Sequence, residues 1–139
     1  MSCSNFPAGY FNVYEACAYE QIDFWIHLGD YLYEYPMDGY ATKSAQLLNR
    51  IPEPHHEILT LSDYRKRHAQ YKKDPQSQLL HATHPLIAVW DDHEITNDTW
   101  KYGAENHDAS EGNFLERKSN AIKAYLEWMP IRENTNKRN

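Results

Sequence analysis

Two short apolar runs, each followed directly by acidic residues, stand out in the hydrophobic pattern of the chain. The first run covers residues 24–28 and stops at Gly29, which Asp30 follows. The second run covers residues 85–90 and leads into residues 91–94, Asp-Asp-His-Glu. Such runs predict buried strands, and open α/β sheets bind ligands where the carboxyl ends of their strands meet. The pattern therefore predicts one shared site at the ends of two strands.

Helical spacing of apolar residues predicts helices around these strands. Thr60 and Asp63 resemble a capping box, with Asp in place of the usual Glu or Gln. The predicted elements, in chain order, are a helix over residues 10–21, a strand over 22–28, a loop over 34–59, a helix over 60–73, a shorter helix through 79–80, a strand over 86–90, a loop over 96–113 and a helix over 113–128. This order is typical of an α/β fold with parallel strands and crossover helices.

Apolar stripes on the helices predict which side chains form the core. Tyr64, His68 and Tyr71 share one face of their helix. The basic residues 65–67 of that helix are expected to form a solvated face rather than a phosphate site. The stripe of the last helix is predicted to comprise Leu115, Ile122, Tyr125, Leu126 and Met129.

Composition and charge exclude several classes of protein. The length of 139 residues suits one domain, and the net charge of −6 argues against binding to a nucleic-acid backbone. The sequence holds no apolar run near the roughly 18 residues of a membrane span, and residues 1–3 do not resemble the start of a signal peptide. Its two cysteines, Cys3 and Cys17, do not make a disulfide scaffold, although a bridge between them is possible.

The residues at the two strand ends indicate a metal site. Carboxylate oxygens suit Ca²⁺, Mg²⁺ or Mn²⁺, whereas a phenolate or thiolate favours a more polarising ion such as ferric iron. Two metals a few ångströms apart can clamp a phosphoryl group. The alternative is that Asp30 caps a turn and that His93 and Glu94 lie on the surface. The repetition of an apolar run followed by acids favours the metal site.

Two motifs resemble the PhoD-like alkaline phosphatases, which belong to the calcineurin-like metallophosphoesterase group. They are residues 29–34, Gly-Asp-Tyr-Leu-Tyr-Glu, and residues 90–94, Trp-Asp-Asp-His-Glu. The resemblance extends over nearly the whole chain and includes residues 2–5, 61–65 and 127–130. It implies metal-dependent hydrolysis of phosphate monoesters or diesters, on a metallophosphoesterase-type α/β sandwich. It also implies Fe³⁺ and Ca²⁺ as cofactors, with other divalent metals possible.

The resemblance assigns roles to particular residues. Asp30 is expected to bridge two metals, while Cys3 and Tyr33 are expected to bind iron. Asp92 is expected to bind the second metal, with Asn97 as a weaker ligand candidate. Contact with the phosphate or its leaving group is expected of the catalytic candidate, His93.

The family's catalytic domain is longer than this chain and supplies further His and Asp ligands. Residues 1–139 are therefore expected to form a single domain that is the N-terminal portion of such a catalytic domain, with part of its active site and little activity alone. The alternative is a non-catalytic α/β module that binds a partner. Exposed core surface could also promote self-association. The resemblance implies a periplasmic or secreted location.

Overall fold

A computed structural model describes residues 1–132, and its two strands pair in parallel with helices between them. The α/β class predicted from the sequence is confirmed. The elements are helix α1 (Asn12–Ala18), strand β1 (Trp25–His27), helix α2 (Leu61–Lys73), helix α3 (Pro75–Thr83), strand β2 (Leu86–Ala88) and helix α4 (Phe114–Trp128), with short 3₁₀ turns at Phe6–Ala8 and Ala109–Glu111. None of the helices in the described range is long and apolar enough to cross a membrane.

The predicted elements are present, but several are shorter than expected. The predicted capping box is confirmed, because the Thr60 side chain accepts from the Asp63 backbone while Asp63 accepts from the Thr60 backbone. Asn113 caps α4, and Asp74 caps α3 ahead of Pro75. Both strands shrink to three residues because the ladder between them contains only three residue pairs.

Within residues 1–132, the two-stranded sheet is covered on one face only. Trp25 and His27 are buried, and they pack against Tyr14 of α1 and His81 of α3. The opposite face of the sheet and the residues that flank it expose apolar side chains, namely Phe24, Ile26, Leu28, Ile87 and Val89. The apolar runs therefore predicted strands correctly, but the described residues bury only alternate side chains of β1.

The segment before α1 runs alongside β1 and its continuation. The Leu28 N–H donates to the Met1 carbonyl at 2.7 Å, and the Ser4 N–H donates to the Asp30 carbonyl at 2.9 Å. The Ser4 hydroxyl lies 2.8 Å from Nε2 of the buried His27 and also contacts the Tyr14 hydroxyl. These contacts fix the N-terminal segment beside the end of β1.

Helices α2 and α4 supply much of the core. Tyr64, His68 and Tyr71 are fully buried, as predicted for α2. The stripe predicted for α4 is partly wrong, because Leu115 is exposed. The buried positions of this helix follow helical spacing from a neighbouring residue, and they are Phe114, Arg117, Ala121, Ala124 and Tyr125.

One residue of the basic run on α2 is buried, contrary to the prediction of a solvated face. Arg67 is 1% exposed, and its guanidinium donates to backbone carbonyls of Tyr33, Tyr35, Glu53 and Pro54. Carbonyl acceptors satisfy the buried donors of this cation without a paired acid in those contacts. Arg67 thereby ties the chain that follows β1 to the distant end of the loop 34–59.

Candidate metal centre

The two strand ends meet because Gly29 lies directly against the chain that follows β2. A Cβ atom at residue 29 would come within 2.6 Å of both the Cβ and the backbone nitrogen of Asp91. Gly29 also has a φ of 105°, a region that side chains disfavour. Glycine therefore permits both the turn after β1 and the close approach of the two motifs.

Cys3 and Tyr33 converge on one oxygen of Asp30. The Cys3 thiol and the Tyr33 hydroxyl each lie 3.3 Å from Asp30 Oδ2. The other oxygen, Asp30 Oδ1, is buried and accepts no hydrogen bond from the described residues. Cys3 and Asp30 have φ values of 58° and 55°, which are uncommon for residues other than glycine. The fold thus holds two of the predicted ligands in strained backbone conformations, as functional sites often do.

Asp92 and His93 approach Asp30 from the other strand end. Asp30, Asp92 and His93 each offer one potential ligand atom, and these three atoms lie within 4.8 Å of one another. Asp92 Oδ1 accepts from the His93 N–H at 2.9 Å, while Asp92 Oδ2 accepts from the Asp98 N–H. The backbone of the turn after β2 therefore fixes the orientation of the Asp92 carboxylate.

A buried carboxylate, Glu34, holds the His93 ring. Glu34 Oε2 lies 2.8 Å from His93 Nδ1, and Glu34 is fully buried. Glu34 Oε1 accepts from the Thr96 hydroxyl, the Asn97 N–H and the Asn106 side-chain amide. An ionised carboxylate is an acceptor only, so Nδ1 of His93 carries the proton of this contact and Nε2 is left for other partners.

The buried side chain of Glu94 links the two strand ends. Its Oε1 accepts from the Tyr31 N–H at 2.6 Å, and its Oε2 accepts from the Asp91 N–H at 2.9 Å. The side chain is 1% exposed, and it connects the turn after β1 with the turn after β2. The reading of Glu94 as a surface residue is therefore wrong.

Asn97, the remaining predicted ligand, makes hydrogen bonds to two acids. Its Nδ2 donates to Glu105 Oε2 at 2.9 Å, while its backbone N–H donates to Glu34. The structure thus brings together five of the six predicted site residues: Cys3, Asp30, Tyr33, Asp92 and His93.

Burial and neighbouring charges shift the pKa values of three groups here. Burial, and then the charge of Asp30, raise the pKa of the Tyr33 phenol. Burial opposes ionisation of Glu34, but hydrogen bonds from His93 and other donors outweigh it and lower the pKa of Glu34. Burial also opposes the charge on His93, but Glu34 and the nearby aspartates raise the pKa of His93. A positive charge close to Tyr33 would act against the rise in its pKa.

The donor set fits a bound metal. A thiol, a phenol and carboxylate oxygens converge on Asp30, and the unpartnered Oδ1 of this buried residue leaves an acceptor free for a cation. Buried polar atoms normally have a partner, so an orphaned carboxylate oxygen calls for one. The thiol and phenol that contact Asp30 suit a more polarising ion, whereas the carboxylates of Asp30 and Asp92 suit a hard divalent ion.

The sequence reasoning missed the residues that orient this site. Glu34 and Glu94 belong to the two motifs already recognised, but they look like the exposed acids of a turn. Arg67 was assigned to a solvated helix face. Only the position of Glu34 inside a segment crowded with tyrosines could have hinted at burial.

Comparisons with known proteins show which family this chain belongs to. A family model described as PhoD-like phosphatase matches residues 1–139. The chain is 39% identical over 131 residues to alkaline phosphatase D of Bacillus subtilis (strain 168), a match that covers 94% of the chain and 22% of that protein. A solved structure titled "Structure of PhoD" matches with a TM-score of 0.82 and 38% identity, over 94% of this chain and 24% of that one. The chain therefore spans about a quarter of the length of these relatives.

Proposed function

Because this chain belongs to the PhoD-like phosphatase family, we propose that it carries part of the active site of a metal-dependent phosphoester hydrolase. One observation carries the proposal. Cys3 and Tyr33 converge on Asp30 Oδ2, ligand atoms of Asp92 and His93 lie within 4.8 Å of one on Asp30, and a buried oxygen of Asp30 lacks a partner among the described residues.

Two metal positions share Asp30 in this proposal. Cys3, Tyr33 and Asp30 would hold a polarising ion, with Fe³⁺ as the candidate, while Asp30 and Asp92 would hold Ca²⁺ or another divalent ion. When bound, such cations activate water and neutralise charge on a phosphoryl group. Asn97 stays a weaker ligand candidate: its Nδ2 donates to Glu105, so its amide oxygen is the atom that would bind a metal.

His93 is the proposed catalytic residue. Its Nδ1 faces Glu34, so Nε2 is the atom available to donate a hydrogen bond to the phosphoryl group or to the leaving oxygen. Glu34 holds the ring and favours its protonated form. The chain thus supplies one oriented proton donor, His93, beside four candidate ligands: Cys3, Asp30, Tyr33 and Asp92.

We further propose that residues 1–139 form one domain, the N-terminal portion of a longer catalytic domain. Two observations support this proposal. The chain matches only about a quarter of the length of each relative, and the described residues leave an apolar sheet face exposed. An incomplete ligand shell binds metal weakly and holds a transition state poorly. The isolated chain should therefore hydrolyse phosphate esters slowly. We also propose, from the family, a periplasmic or secreted location.

Metal analysis and hydrolysis of an aryl phosphate test the proposal together. In equilibrium dialysis against iron and Ca²⁺, purified chain should bind metal, and Asp30→Asn should bind much less. Failure of the wild-type chain to bind either metal at equilibrium contradicts the proposal and favours the alternative of a non-catalytic module. Robust turnover by the isolated chain contradicts the proposal that it holds only part of a site. A comparison of monoester and diester rates then indicates the substrate class.

A further inference from the structure

Four aromatic rings pack against one another in a cycle of neighbouring pairs beside the metal centre, and His93 is one of them. The ring centroids of Tyr33 and His93 are 4.1 Å apart, and those of His93 and Tyr35 are 5.6 Å apart. The cycle continues from Tyr35 to Tyr40 at 5.7 Å and closes from Tyr40 to Tyr33 at 6.4 Å. We name these residues, Tyr33, Tyr35, Tyr40 and His93, the aromatic cluster.

The members of the aromatic cluster differ in exposure in a way that suits a binding surface. Tyr33 is buried and its hydroxyl contacts Asp30, so one side of the cluster belongs to the metal centre. Tyr40 is 62% exposed, and its ring lies within 22° of parallel to the Tyr33 ring. A largely exposed ring that is supported by two other tyrosines presents a firm, flat apolar surface to solvent.

From this arrangement we propose that the aromatic cluster binds a flat aromatic group on the phosphoester, such as an aryl or nucleoside group, with Tyr40 as the stacking surface. The proposal rests on the proposed function. His93 is the residue assigned to the leaving-group side, and Tyr35 and Tyr33 flank its ring. A leaving group that contacts His93 therefore lies next to aromatic faces.

Aromatic stacking would let this surface distinguish aromatic esters from alkyl esters. Rings prefer offset-stacked or edge-to-face contact, and stacking of a base on an aromatic side chain is worth about 1–3 kcal/mol when measured by alanine substitution. An alkyl ester lacks a π-face and would gain little from Tyr40. The site is therefore expected to prefer aromatic over small alkyl esters.

Two phosphonates that cannot be hydrolysed test this preference in the intact chain with Ca²⁺ present. Phenylphosphonate carries the ring, and methylphosphonate carries only the phosphoryl head. Binding is followed by NMR titration of backbone amides. Wild-type chain should bind phenylphosphonate about fivefold or more tightly than methylphosphonate. Tyr40→Ala should remove that preference and leave methylphosphonate affinity unchanged, while Tyr40→Phe should keep the preference.

Two control variants sharpen the test. Tyr19→Ala removes another tyrosine of high exposure, at the end of α1, and should keep the preference. Tyr40→Leu keeps apolar surface without a π-face and should lose most of the preference. Melting curves should show that every variant is folded, because Tyr40 is largely exposed and its substitution removes little buried surface.

The outcomes separate this inference from the proposed function. If methylphosphonate binds but Tyr40→Ala leaves the phenyl preference intact, or no preference exists, the stacking surface is refuted and the proposed function stands. If Tyr10→Ala, on the Cys3 side of the site, abolishes the preference instead, the assignment to Tyr40 is wrong. If neither phosphonate binds wild-type chain although Ca²⁺ binds, the inference fails and the proposed function stands; if Ca²⁺ does not bind either, both fail.

Discussion

His93 Nδ1 lies 2.8 Å from Oε2 of Glu34, and this contact joins the motif after β1 to the motif after β2. Glu34 is fully buried, whereas the His93 side chain keeps 12% of its surface accessible. The buried partner therefore fixes the ring, and the accessible partner keeps one nitrogen for other contacts. Three further donors bind the second oxygen of Glu34, so one carboxylate organises the histidine and the chain around Thr96.

Replacement of Glu34 should loosen both motifs. Glu34→Gln cannot accept from four donors as a charged group does, and it leaves buried donors poorly paired. We expect a loss of about 1–3 kcal/mol in the free energy of unfolding, measured by urea denaturation. The exposed acid Glu20 is a matched control, and Glu20→Gln should stay within about 0.5 kcal/mol of wild type. Equal effects of the two substitutions would contradict the central role of Glu34.

A side chain at residue 29 should lower the free energy of unfolding for two reasons, a steric clash with Asp91 and an unfavourable backbone conformation. The two contributions can be separated. Gly29→Ala introduces both, because its Cβ would lie 2.6 Å from Asp91 and its φ is positive. Gly112 also has a positive φ, of 93°, but a Cβ there meets nothing within 4 Å. Gly112→Ala should therefore cost about 1–3 kcal/mol, and Gly29→Ala should cost at least about 1 kcal/mol more. Similar unfolding free energies for both variants would show that the two strand ends are not in contact.

Metal binding should raise the melting temperature through Asp30. A ligand at 100 times its Kd stabilises a folded protein by about 2.7 kcal/mol. We expect increasing Ca²⁺ or Fe³⁺ to raise the melting temperature of wild-type chain and to leave that of Asp30→Asn nearly constant. Asp23→Asn removes an exposed carboxylate outside the site and should retain the wild-type response. A full metal response in Asp30→Asn would contradict a centre built on Asp30.

Acid should destabilise the fold through buried histidines. Burial, followed by the charge of Lys72, lowers the pKa of His68 to about 3, against a smaller opposing effect of Glu127. The unfolded chain binds the proton near pH 6.5 and the folded chain does not, so stability is complete above pH 6.5 and falls as the pH decreases towards 3. Between pH 6.5 and 4 the loss from His68 should be on the order of 2–3 kcal/mol.

His68→Phe isolates that contribution. Neither ring nitrogen of His68 has a partner among the described residues, and the ring lies parallel to that of Trp128, so an apolar ring should be tolerated. Urea denaturation at several pH values should give a shallower slope for the variant, although His27 and His81, with pKa values lowered to about 4, still contribute. Parallel curves for variant and wild type would refute the assignment.

The exposed sheet face should drive self-association of the isolated chain. Exposed apolar side chains in a contiguous patch commonly mark interaction surfaces. We expect sedimentation velocity to show species larger than a monomer at high concentration, and the double variant Ile26→Ser with Val89→Ser to shift the chain towards monomer. Leu47→Ser alters a residue that is 89% exposed outside the sheet and should change little. Monomeric wild-type chain at all concentrations would contradict the prediction.

The sequence by itself determined the class of fold and the position of the acids. Apolar runs that stop at Gly29 and at residue 91 mark strand ends, because strands need short apolar stretches and turns need glycine or polar residues. The same local physics placed the cap at Thr60 and the buried face of α2. Asp30 and Asp92 were therefore recognisable as neighbours before any coordinate was known.

Only the tertiary structure decided which other polar residues are buried. Glu34, Glu94 and Arg67 look like ordinary surface charges along the chain, since no local pattern distinguishes a charge that will face solvent from one that will meet distant donors or carbonyls. Most of their partners are distant in sequence, from 13 residues between Arg67 and Pro54 to 72 residues between Glu34 and Asn106. Burial of a charge is favourable only when those partners converge in space, and that convergence is a property of the folded chain.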